Sequence, residues 1–196
     1  MSEDYPPTIP DLSALTPSSS TMFINNMFRG AGPKDHISYA LVMNFVRLTD
    51  RAVREFESGR KEIEAFWKPE GDLKLGAAIR AMGHFEGAID ALKRSINHLK
   101  QLRASRRVPP SLKALLPRDT ALLRGSVEGK ITDMRDAIQH LERDIVNEKI
   151  APGQALVLAP RKYALELGPH SLRYDDLARW IAEAHALARL LRDYFE

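Results

Sequence analysis

Residues 134–145 read MRDAIQHLERDI, a stretch that places an arginine, an aspartate and a histidine within one and a half helical turns. An imidazole exchanges protons near neutral pH, and a guanidinium offers planar pairs of donors to phosphate oxygens. A carboxylate one turn before a histidine can orient or charge its ring. Arg135, Asp136 and His140 therefore form either a catalytic constellation or three polar residues on the wet face of an ordinary helix, where such pairs are worth little.

Other chemistries find less in the chain. No histidine follows a glutamate at the di-iron spacing and no His-Glu-x-x-His occurs, so metal catalysis is set aside and no cofactor is expected. No glycine-rich loop leads into Lys and Ser or Thr, and Ser126 and the other serines lack a nucleophile context. The absence of cysteine excludes disulfides and thiolate chemistry. With 29 basic and 26 acidic residues the net charge is only +3, so attraction to a polyanion would have to come from local clustering. The opening MSEDYPPTIP has neither the basic start nor the apolar run of a signal peptide, and no stretch reaches membrane-spanning length. A soluble cytoplasmic protein without membrane contact is expected.

The elements that would carry the candidate residues follow from periodicity. Residues 1–33 hold Pro6, Pro7, Pro10, Pro17 and the run Ser18, Ser19, Ser20, and read as a flexible arm with a short helical piece, TMFINNMF, before Gly30, Gly32 and Pro33. From His36, apolar residues recur at helical spacing through Phe45, Phe56 and Phe66 until Trp67, Pro69 and Gly71 end the first long helix. Leu75, Ala78, Met82, Phe85, Ile89, Leu92, Ile96 and Leu99 alternate three and four apart, which predicts a second helix packed lengthwise against another. Pro109 and Pro110 stop it, and a linker with Pro117 leads to a third helix striped by Ile131, Met134, Ile138, Leu141 and Ile145, ended by Pro152 and Gly153. Period-two alternation over 154–174 predicts a small hairpin, and Leu177 to Phe195 returns to helix. The expected fold is all-α: an antiparallel bundle of four main helices in residues 34–196, with a hairpin-like insertion before the last.

RDAIQH resembles the Arg-(four to six residues)-His motif of HEPN domains, helical proteins that include ribonuclease toxins and phage-defence effectors. Two further Arg–His spacings occur, Arg29 to His36 and Arg179 to His185, but only Arg135 is followed by a polar residue of the family's kind, Asp136, and lies on the helix before the last. The resemblance covers roughly residues 36–196. It implies a metal-independent endoribonuclease working as a homodimer, with RNA as substrate, an antitoxin protein as partner in toxin members, and a cyclic phosphate as product. Under it, His140 would be general acid or base, Arg135 would bind the phosphate and the developing charge, and Asp136 would orient the site. On a regular helix Arg135 would stand about 80° and His140 about 140° from the core stripe. Asp136, His140 and Arg143 would then share the outward face, which a second protomer would cover.

A basic cluster adds a track for RNA: Lys93, Arg94, Lys100, Arg103, Arg106 and Arg107, followed by Lys113 and Arg118, with no acid between Ala91 and Arg118. Part of it could equally be the cationic end that a helix macrodipole favours. Two readings remain beside the nuclease: a catalytically silent HEPN-like dimerisation or partner-binding module, and a helical nucleic-acid binder that does not need His140.

Overall fold

The computed structural model describes residues 6–30, 32–68 and 75–194. Pro69 and Gly71, read as the stop of the first long helix, and Phe195 of the last stripe lie outside the described residues. In chain order the elements are α1 (Ser19–Arg29), α2 (His36–Phe66), α3 (Leu75–Ala104), α4 (Pro110–Leu115), a 3-10 turn (Ala121–Leu123), α5 (Gly125–Gln139) and α6 (Leu141–Val146). Three strands follow, β1 (Ala155–Pro160), β2 (Ala164–Gly168) and β3 (His170–Arg173), and then α7 (Tyr174–Arg192). The protein is mostly helical, with a small antiparallel sheet before the last helix. None of the described helices is long and apolar enough to cross a membrane.

α2 and α3 form the central pair. Asp35 caps α2 by accepting the Ser38 amide at 2.9 Å. Arg80 grips Glu62 through Nε and Nη2 at 2.9 and 2.8 Å, and His84 Nδ1 meets Glu55 Oε2 at 2.8 Å. At the far end Ser38 Oγ donates to the Arg107 carbonyl at 3.2 Å. Sequence numbers rise on one helix as they fall on the other, so the two run antiparallel. Gly59 makes the close approach possible, because a Cβ there would meet the Phe85 ring at 3.0 Å. Phe85 in turn packs edge-on to Phe56, with centroids 5.8 Å apart, and against Tyr174 at the start of α7. The inner faces of α3, α5, α7 and the sheet complete one continuous apolar core.

The region expected as a hairpin is a three-strand meander in the order β1-β2-β3. β2 pairs with β3 from Ala164↔Arg173 to Leu167↔His170. Leu165, Leu167 and Leu172 face the core while Glu166 and Ser171 face out, the alternation that the sequence displays.

The segment read from sequence as a flexible arm is docked over its described part. Asp50 accepts the Ser18 amide at 3.0 Å and the Ser19 amide at 2.7 Å, which supplies the cap that Ser18's own side chain does not make. Glu57 accepts the Leu12 amide at 2.6 Å, and His185 Nε2–H donates to the Thr16 carbonyl at 2.7 Å. Leu12 and Met22 belong to the same core as the helices. His185 is buried by this contact.

Candidate functional site

α5 is placed on α3 by two buried side chains, Ile131 and Met134, and by a pair of lysines. Lys93 and Lys100 of α3 clamp Glu128 at 2.9 and 2.5 Å, and their hydrogen bonds, that of Lys100 first, hold its carboxyl below the usual range. Arg135 lies two turns further along α5. Its Nε donates to Asp90 Oδ1 of α3 at 3.1 Å, and Nη1 stands 3.6 Å from Asp136 Oδ1. The side chain is 27% exposed, and Nη2 has no partner among the described residues.

The helix expected to continue to Ile145 is interrupted at His140, whose backbone (φ −114°, ψ 15°) closes α5 and opens α6. Two 4-residue bonds survive at the kink: the His140 amide donates to the Asp136 carbonyl at 2.9 Å and the Asp144 amide to the His140 carbonyl at 3.0 Å. The imidazole is exposed, with no side-chain bond among the described residues. The structure thus brings Arg135 and Asp136 together but leaves His140 separate from both. Arg143 lies beyond the kink beside Asp144, at 3.6 Å, so the face shared by Asp136, His140 and Arg143 on a straight helix is broken.

The basic cluster divides when seen in space. Besides Lys93 and Lys100, Arg94 reaches Asp90 at 3.7 Å, so three of its six principal members have acidic partners supplied from outside the basic run. Arg103 donates to the Arg118 carbonyl at 3.0 Å and to that of Pro117, which fastens the loop after α4. Arg106 and Arg107 are exposed just beyond the end of α3; the Asp35 carboxyl nearby is held below its usual range chiefly by the Ser38 amide and hydroxyl, with Arg107 adding a smaller attraction. His98, between Arg94 and Arg47, is pushed down first by burial and then by those two charges.

No family model, curated protein or solved structure matches this chain. The site therefore rests on its own geometry. Sequence reasoning missed Asp90, the partner that fixes Arg135; it stands one position before the acid-free run on a different helix, and nothing in the local pattern pairs it with α5. It also missed a cavity of about 240 Å3 behind the kink, with Leu141, Ile150, Leu167 and His170 among its walls and the Asp144–Lys149 ion pair at its edge.

Proposed function

We propose that this protein is a metal-independent endoribonuclease of the HEPN type, acting on RNA as a homodimer in the cytoplasm, in a toxin or defence role under an antitoxin-like partner. The observation that supports this best is that a fixed guanidinium and an exposed imidazole stand five residues apart on α5 and its end, although the two are not in contact within one chain. Asp90 orients Arg135 and leaves Nη2 open, and the end of α5 carries His140 into solvent. In RNA the 2′-hydroxyl is an internal nucleophile. His140 would take its proton as the oxygen attacks phosphorus, and a protonated histidine would return one to the departing 5′-oxygen, leaving a 2′,3′-cyclic phosphate. Arg135 would bind the equatorial oxygens as charge builds on them. A second protomer over the kink would supply the second motif, since His140 is not bonded to Arg135 within one chain.

Cleavage of a mixed RNA pool in excess chelator tests this. His140→Ala should lower the rate by about 10² to 10⁴ with RNA binding retained, and Arg135→Lys should lose most activity although it keeps the charge. Equal rates for His140→Ala and the parent would reject the catalytic role. A catalytically silent bundle for dimerisation or partner binding is the second reading. It is favoured by one specific observation: Arg135 and half of the basic cluster already have carboxylate partners.

A further inference from the structure

A groove of about 320 Å3 runs between α3, the end of α5 and β1, with walls that include Ile79, Met82, Ile138, Leu141 and Val157. Ile79 is 64% and Val157 54% exposed, although apolar side chains of this size are more favourable buried. Single apolar residues at a surface are ordinary, whereas several converging on a concavity mark a contact site.

Two further residues on the same wall give the groove its character. Gly83 sits in the interior of α3, where glycine is less favourable than alanine. At Gly59 and Gly87 the fold itself explains the missing side chain, since a Cβ would meet Phe85 at 3.0 Å and Glu55 at 3.3 Å. At Gly83 no atom lies within 4 Å of the Cβ position, so the chain's own packing does not ask for a glycine and the bare backbone opens the groove. Glu86, three residues on, is half-buried in that wall and has no hydrogen bond or ion pair among the described residues. Burial alone raises its carboxyl above the usual range; no charge of either sign contributes. An unpaired, desolvated carboxylate is unfavourable until a cation reaches it.

The geometry points to this groove as the docking site for an amphipathic helical segment of another protein, which seats a large apolar side chain over Gly83 and a lysine or arginine against Glu86. The spacing fits a helix. Gly83 and Glu86 stand about 4.5 Å apart along α3, close to the turn that separates an anchor from a cation three or four residues away. Nucleic acid does not suit it, because the walls are apolar and the one charge would repel phosphate. The docking is independent of ribonuclease activity, although an occupant would pass beside His140 through its neighbours Ile138 and Leu141.

Two labelled peptides of about 18 residues, long enough to be helical, serve as probes: one built of leucine and lysine in an amphipathic pattern, the other of leucine and glutamate in the same pattern. The protein carries a net charge of +3, so long-range attraction favours the acidic peptide and a preference for the basic one must arise locally. The full chain should bind the Leu/Lys peptide about tenfold more tightly than the Leu/Glu peptide. Glu86→Gln should reduce that preference to about twofold or less. Gly83→Leu should weaken binding of the Leu/Lys peptide about tenfold or more, with circular dichroism unchanged. Should Gly83→Leu lose helicity, Ile79→Ser at the exposed rim provides the same comparison. Equal affinity of the parent for both peptides, or Leu/Lys binding unaffected by a folded groove variant, would overturn the proposal. So would a dimer in sedimentation that Gly83→Leu converts to monomer, since the occupant would then be a second copy of this chain.

Discussion

Replacing Asp50 with alanine isolates the contact that holds the proline-rich segment and α1 to the helices. Asp50 is 9% exposed and accepts two amides from the start of α1, those of Ser18 and Ser19. A hydrogen bond to an ionised carboxylate contributes about 1.5–3 kcal/mol, so removing both would cost about 3–6 kcal/mol if the segment stayed in place. It has an alternative, which is to let go. The loss cannot then exceed the free energy with which the segment docks, to which the burial of Leu12 and Met22 contributes. The second route is the cheaper one, and the expected loss is about 2–3 kcal/mol, felt locally. Hydrogen exchange should show the Ser18, Ser19 and α1 amides exchanging roughly 30- to 150-fold faster, while amides of α3 such as those of Ile89 and Leu92 keep their protection. If the Ser18 and Ser19 amides exchange within about threefold of the parent, Asp50 is not what holds the segment.

Gly59→Ala should destabilise by about 1–3 kcal/mol, because the new methyl meets the packed ring of Phe85, whereas Gly83→Ala should stabilise by about 0.5–1 kcal/mol; paired thermal melts compare them directly. Glu148 occupies a left-handed position (φ 52°) at the end of α6, where its amide and that of Lys149 donate back to Ile145 and Asp144 at 3.1 and 2.9 Å. Glu148→Gly should therefore raise the urea midpoint, by up to about 1 kcal/mol in stability. Glu86→Gln should stabilise the protein at pH 7–8 and leave it unchanged near pH 3. Burial raises this carboxyl in the folded chain, so the parent loses stability as pH climbs from the ordinary glutamate range through the raised one, and carries the full deficit above it. The glutamine has no charge to desolvate. An equal shift in melting temperature at both pH values would show that titration is not the cause.

The long helices were legible because their signals are local. Apolar residues at three-four spacing mark α2, α3 and α7, and Asp35, Pro109 and Pro110 set boundaries that depend only on neighbours in sequence. The kink at His140 was not legible. No glycine or proline marks it, and the stripe from Ile131 to Ile145 runs through it unbroken. The third strand was missed for a related reason: Leu172 and Tyr174 alternate correctly, but the pairing that makes His170–Arg173 a strand is visible only beside β2. Docking of the N-terminal segment depends on Asp50, Glu57 and His185, polar residues far away along the chain, and composition alone pointed the other way. The basic run misled similarly. Its isolation from acids is real along the chain, yet Glu128 arrives from α5 to neutralise two lysines, and Asp90 stands just outside the run to serve both Arg94 and Arg135.

The bond from His185 to Thr16 closes a loop 169 residues long. On a ribosome that adds about 5–20 residues each second, Thr16 is synthesised roughly 10–30 s before the histidine whose ring will donate to its carbonyl. For that interval Phe23, Ile24, Met27 and Phe28 travel with α2 but without α7, the other surface against which α1 rests, and all four remain more than half exposed even after folding. The serines and prolines ahead of them offer nothing to aggregate, which keeps the waiting segment tractable. The order of synthesis thus makes the N-terminal segment a late event in folding, completed only when α7 settles against α2.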